Sequence, residues 1–174
     1  MAMASFLKDF QKRFLFDREI TRQKAFMRTI PIFAGLRGRE LGRLIQSLYL
    51  RTYQKDEVLF SQGDIGRALF ILESGRVDLI RLEPDGSEET IYAVKPGEFF
   101  GEMALLEERP RTASAKAAES SKLYLLYRTE LDELVHSAPR IAAIIFRHLA
   151  ERLSGRLRER QDLRFSETAL SRAS

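Results

Sequence analysis

Between Tyr49 and Tyr127 the apolar residues come in short runs, and most of the breaks between them hold a glycine or a proline. That punctuation admits strands and excludes long helices. Strands are expected at 49–54, 57–60, 68–73, 76–83, 88–95, 98–100, 112–118 and 122–127. Gly63, Gly66, Gly75, Gly86 and Gly97 separate them, and Pro84-Asp85-Gly86 is a hairpin turn signal. Eight strands this short and this evenly spaced close into a small antiparallel barrel or sandwich. The glycines form neither a G-x-G-x-x-G nor a Walker-type loop, so they read as structural.

The flanks carry the other periodicity. Phe6, Leu7, Phe10 and Phe14 recur at helical spacing, with Lys8, Asp9, Lys12 and Arg13 between them. This amphipathic face would pack on the domain, form a dimer contact, or lie on a membrane surface. A second helical stretch covers about 17 to 28, after which Pro31 forces its predecessor to be extended. Leu41, Leu44, Ile45 and Leu48 mark one face of a third helix. After the strands, Thr129-Glu130-Leu131-Asp132 reads as a capping arrangement for a short helix. A longer one runs from Pro139 to about residue 163, with Ile141, Ile144, Ile145, Leu149, Leu153 and Leu157 as its apolar face. The segment beyond Phe165 is small and polar and is expected to fray. The class is α+β, divided as a helical segment 1–30, a β unit 31–136, a C-terminal helix 137–165 and a flexible tail 166–174.

Composition matters mainly through what it removes. No cysteine occurs in the 174 residues, which excludes disulfides, thiolate metal sites and a thiol nucleophile and suits a reducing, cytoplasmic setting. Lys8 and Asp9 interrupt any secretory h-region, and no run approaches the ~20 apolar residues of a membrane span. The net charge of +4 is uneven: residues 1–28 and 140–164 each hold seven basic and three acidic residues, while 29–139 hold 14 basic against 18 acidic. Basic ends would steer an acidic partner, nucleic acid or anionic lipid, or serve simply as solvated helix faces. His136 and His148 stand apart from any nucleophile or metal-ligand constellation, so an enzyme is not expected.

Residues 99–118, FFGEMALLEERPRTASAKAA, hold the chemistry. Phe99 and Phe100 end a buried strand, Gly101 turns the backbone, and residues 102–107 are helix formers sufficient for one or two turns. Such a turn offers unpaired N–H groups to an anion. Arg111 follows nine residues after Glu102, and its planar fork of donors fits two oxygens of a phosphate. A carboxylate beside it cannot serve the phosphate and is free to accept from a hydroxyl. The pair describes a pocket for one phosphate joined to one sugar.

This stretch resembles the phosphate-binding cassette of the cyclic nucleotide-binding domain family, known from the bacterial catabolite activator, protein kinase A regulatory subunits and nucleotide-gated channels. The pattern F-G-E-x-A-L followed by P-R-[TA]-A-[ST] is met by Phe100, Gly101, Glu102, Ala104, Leu105, Pro110, Arg111, Thr112, Ala113 and Ser114. The likeness extends over about residues 30–155 and implies an eight-stranded antiparallel β-roll, jelly-roll-like, with N-terminal helices, a short cassette helix and a long C-terminal helix. It implies that Arg111 binds the cyclic phosphate and Glu102 the ribose 2'-hydroxyl, with N–H groups of Ala104 and Thr112 completing a cradle that includes Phe100, Gly101, Met103 and Ala113. No metal is expected.

The family's last helix roofs the base, and here Leu153, Leu157 and Arg156 are the candidates; the two leucines would equally serve a permanent core or a dimer seam. Thr112 could accept from the exocyclic amine of a syn guanine, yet the family carries Thr there in both cAMP- and cGMP-preferring members. The ligand is expected to be cAMP rather than cGMP, and a larger cyclic dinucleotide stays open. Catabolite activators continue into a helix-turn-helix module, for which too few residues follow the long helix here. The chain is expected to be a stand-alone sensor or part of something longer, without direct DNA binding. It would act through an effector protein in trans or a homodimer made by the C-terminal helix.

Overall fold

The computed structural model describes residues 18 to 171, and side chains up to residue 161 except that of residue 160. The face made by Phe6, Leu7, Phe10 and Phe14 lies outside the described residues. Residues 18 to 29 are helical (α1), a 3-10 turn spans Pro31–Phe33, and α2 is Gly38–Gln46. Eight strands follow: β1 Tyr49–Tyr53, β2 Val58–Phe60, β3 Ala68–Ser74, β4 Val77–Leu82, β5 Glu88–Val94, β6 Phe99–Phe100, β7 Ser114–Ala117 and β8 Ser121–Tyr127. A second 3-10 turn, Glu102–Leu105, separates β6 from β7, and α3 (Arg128–Ser137) and α4 (Pro139–Ser171) close the chain.

All pairings are antiparallel, in two four-stranded sheets of order β1-β8-β3-β6 and β2-β7-β4-β5. The unbroken apolar run of β3 has a direct cause: its sheet is covered on both sides, so both alternating faces are buried. Leu69 and Ile71, with Tyr124 and Leu126 of β8, join Met27, Leu41, Leu44, Ile141 and Ile145 in a core under the helices. Their neighbours Phe70, Leu72, Leu123 and Leu125 point the other way, onto Val77, Val94, Ala115 and Ala117 inside the roll. Each fully buried leucine or isoleucine contributes roughly 1.5–3 kcal/mol relative to exposure. At the opposite edge, β5 is exposed at all but its last residue.

Two polar fastenings fix the helical layer. The Glu73 carboxylate, 7% exposed, accepts from Arg22 Nη1 at 2.7 Å and Tyr124 OH at 3.1 Å and pairs with Lys122 at 3.1 Å, which ties α1 to the inner sheet, β1-β8-β3-β6, the one the helices cover. Farther along, Glu40 of α2 pairs with Arg140 of α4, and His148 Nε2 donates to the Ala34 carbonyl at 3.0 Å. The first half of α4 is thereby locked against α2 and the turn before it.

Three local expectations change. Thr129 does not cap α3: Tyr127 is the N-cap, because β8 runs straight into the helix and Arg128 N–H is held by the Arg67 carbonyl at 2.9 Å. The seventh strand starts at Ser114 rather than 112, because the chain before it is pledged to another loop. There Arg111 N–H donates to the Asp64 carbonyl at 2.8 Å and Gly63 N–H to the Arg111 carbonyl at 2.9 Å. The long helix continues past 163 to Ser171, since no proline or glycine follows Gly155 to stop it.

Candidate functional site

Arg111 is positioned from both ends. Its backbone is clamped to the loop at Gly63 and Asp64, and its guanidinium donates from Nη2 to the Ala68 carbonyl at 2.8 Å and from Nη1 to the Gly101 carbonyl at 3.1 Å. The same group lies 4.2 Å above the Phe60 ring centroid and 5.7 Å from that of Phe70. Two of its five N–H donors are used in holding the plane, which leaves three for a ligand. Burial pulls its pKa down from the ordinary arginine value, while Glu102 and Asp64 oppose that shift.

Gly101 makes this fit possible. It adopts φ +73°, and a Cβ there would stand 2.6 Å from Arg111 Nη1. Only glycine offers both the left-handed backbone and the space. Its carbonyl also accepts the Ala104 N–H at 3.2 Å, the ordinary closure of a 3-10 turn, so that N–H is already engaged. Within the turn, Glu102 is 2% exposed, Ala104 4% and Met103 46%.

Glu102 is met from across the fold by the last helix. Arg156 Nη1 hydrogen-bonds to its Oε1, and Arg152 Nε lies 3.9 Å from the same oxygen. The Arg152 guanidinium also stacks 4.3 Å from the Phe99 ring centroid. These elements enclose a cavity of about 600 Å³ between the turn, the β4–β5 hairpin and α4. Arg81, Arg109, Arg111, Arg152 and Arg156 line it against only Glu102 and Glu107, so it is electropositive and suited to an anion. Leu79, Ile91 and Phe99 supply apolar walls of the kind a base requires. Among the described residues no three His, Asp or Glu side chains are grouped as a metal site.

Phe100, Gly101, Glu102, Met103, Ala104, Arg111, Thr112 and Ala113 all border this single cavity. Of the three lid candidates only Arg156 does; Leu153 is half-buried elsewhere and Leu157 is 60% exposed. Helical geometry explains the split. Arg152 and Arg156 are one turn apart on the face toward the cavity, and each leucine sits about 100° farther round. Arg152 was legible from that spacing. Phe60, Ile91 and Tyr92, brought in from β2 and β5, gave no local signal.

A β-roll that sets a buried acid and a part-buried arginine of one cassette on a single electropositive cavity has the form of a ligand-binding regulatory module. The family model for the cyclic nucleotide-binding domain matches residues 50–138, and the chain belongs to that family. It is 39% identical over 133 residues to the cyclic AMP receptor protein of Thermus thermophilus, covering 76% of this chain and 60% of that one. The cAMP-dependent protein kinase regulatory subunit of Emericella nidulans is 31% identical over 127 residues, 71% of this chain and 30% of the subunit. The crystal structure of the Thermus thermophilus catabolite activator protein superposes with a TM-score of 0.70 at 37% identity, over 80% of this chain and 63% of that chain. The chain thus spans less than two thirds of the curated relatives it matches. No helix among the described residues is long and apolar enough to cross a membrane.

Proposed function

We propose that this chain is a cytoplasmic sensor of a cyclic mononucleotide, cAMP in preference to cGMP, that reports binding through α4 and is not an enzyme. The carrying observation is Arg111. Its fork is held flat by two backbone carbonyls and an aromatic face inside an electropositive cavity, with three donors left over. A phosphate leaving water needs such paired donors. The sugar hydroxyl donates to Glu102, and the base meets Leu79, Ile91 and the guanidinium planes of Arg152 and Arg156. The preference for cAMP is supported by the relatives, a cyclic AMP receptor and cAMP-dependent kinase subunits.

The route to α4 follows from its unequal anchoring. Through Leu149 the helix is built into the core, but beyond it every described side chain is exposed except half-buried Leu153 and Gly155. Arg152 and Arg156 are therefore the main tether of its second half to the roll, and they touch the carboxylate that the sugar addresses. A ligand that adds contacts there shifts α4 toward its docked position. The moved helix would act on an effector protein in trans or on a second α4 in a homodimer. Isothermal titration with cAMP and cGMP tests the reading: saturable binding lost by at least tenfold in Arg111→Ala is expected, and equal affinity of both proteins would overturn it.

A transcription regulator is the second reading, favoured by 29% identity over 136 residues to a CRP-like cAMP-activated global transcriptional regulator of Mycobacterium tuberculosis, of which this chain spans 61%.

A further inference from the structure

Two surfaces among the described residues gather charges of one sign that lack an ion pair. On the helical layer, Lys24 and Arg28 are one turn apart on α1, and Arg39 and Arg43 one turn apart on α2. The two stripes meet over a pair of small residues. A Cβ on Gly42 would lie 3.2 Å from Lys24 Cε, and one on Gly38 3.5 Å from Arg28 Nη2, so the α1 side chains drape directly across α2. Beside this patch Arg22 is paired with Glu19 and Glu73, and Arg140 with Glu40. Lys24, Arg28, Arg39 and Arg43 have no acidic group within 4 Å among the described residues. No large apolar side chain between residues 18 and 48 is exposed, so the patch offers a lipid surface nothing to insert.

The opposite charge projects from the β4–β5 hairpin. Glu83, Asp85, Glu88 and Glu89 surround its tip within the span of one turn, where β5 is a sheet edge. Arg81 offsets Glu83 at 3.7 Å, and Asp85 accepts from Ser87 N–H at 2.9 Å. Glu88 and Glu89 are exposed, with no cation within 4 Å among the described residues. The hairpin lies on the outer sheet and the basic patch on the helices that cover the inner one, so one molecule cannot join them.

We propose that the basic α1–α2 face of one copy receives the acidic β4–β5 hairpin of a second copy in a head-to-tail, salt-sensitive contact. The chain itself carries a counter-surface at equal concentration, and arginine forks meet carboxylates with two parallel hydrogen bonds. Attraction of this kind governs encounter and register more than final strength, so association is weak and falls with ionic strength. The same hairpin carries Arg81 and Ile91 of the cavity wall, which places the contact next to the site without depending on any ligand.

Sedimentation velocity on the nuclease-treated full chain tests this at about 50 mM and about 500 mM salt. Wild type is expected above the 20.1 kDa monomer mass at low salt and to shift toward smaller species at high salt. Arg39→Glu with Arg43→Glu, or Glu88→Lys with Glu89→Lys, should each abolish the salt-dependent component. The four substitutions together leave the net charge unchanged and should restore it. A dimer made by α4 would survive all of these changes and salt alike, and appears as a separate, constant component. The proposal is overturned if wild type shows no salt-dependent association, or if the hairpin reversal leaves that association intact. It is equally overturned if the quadruple variant stays dissociated while its thermal melt matches wild type. Wild type found only as a salt-insensitive species whose basic face takes up RNA or anionic vesicles instead would also sink it.

Discussion

Arg156, from the outward half of α4, donates to the carboxylate of Glu102, a residue only 2% exposed on the far side of the cavity. An acid that deep, with a guanidinium that half-exposed, couples the helix to the cassette. Removing one partner strands the other, so a double-mutant cycle with Glu102→Gln and Arg156→Ala should return a coupling of about 1–2 kcal/mol. Hydrogen exchange gives the local view. Arg156→Ala should speed exchange over residues 150–161 and leave 141–149, in the core, unchanged. Saturating cAMP on wild type should slow exchange over 150–161, and an unaltered pattern there would remove α4 from the mechanism.

Arg111 should resist conservative replacement. Lysine retains charge but cannot reach the Ala68 and Gly101 carbonyls together while lying flat on Phe60. Arg111→Lys is therefore expected to lose at least tenfold in cAMP affinity, as Arg111→Ala does. Both should also lower stability by about 1–3 kcal/mol, because two carbonyls lose their donor. Calorimetric titration and urea unfolding read the two effects separately.

Gly97 and Gly101 share positive φ, at +88° and +73°, but not surroundings. A Cβ on Gly97 meets nothing within 4 Å, whereas one on Gly101 meets Arg111 Nη1 at 2.6 Å. Gly97→Ala should cost only the left-handed backbone strain, about 1–2 kcal/mol, with cAMP affinity unchanged. Gly101→Ala should cost more and also weaken binding several-fold by displacing the guanidinium. Equal affinity in the two variants would show that Arg111 does not hold the phosphate.

The strands were legible because glycines bound them and because β3, covered on both faces, has no polar residue before Glu73 to confuse its reading. The cassette was legible because Gly101, Glu102 and Arg111 lie within eleven consecutive residues, so their chemistry is local in sequence. The remaining walls were not. Phe60 and Ile91 enter the cavity only through the pairing of β2 with β7 and of β5 with β4, and nothing in their own neighbourhoods marks them. Leu153 and Leu157 do not border the cavity, since an apolar stripe does not by itself choose which side of a helix faces it. The choice was decided by α4's rotation, set by Ile141, Ile145 and Leu149 in the core, which turns Arg152 and Arg156 to the cavity.

Alkaline stability offers a test of the clasp between α1 and the roll. Burial, and then the neighbouring Glu73 carboxylate, push the Tyr124 phenol far above the usual tyrosine range. The folded state therefore holds this proton more tightly than the unfolded chain does. Its contribution is complete below the unfolded value of about 10 and is lost progressively as pH rises above it. Tyr49, Tyr53 and Tyr92 shift upward as well, so the alkaline decline has several sources. Tyr124 is the one stacked on Phe26 of α1 and hydrogen-bonded to Glu73 at 3.1 Å. Tyr124→Phe should thus lower stability by about 1 kcal/mol at neutral pH, through the lost hydrogen bond, and flatten the fall above pH about 10. Urea unfolding at a series of pH values measures both. If the variant and wild type decline in parallel above that pH, the phenol is not buried against Glu73 and α1 is held to the sheet in some other way.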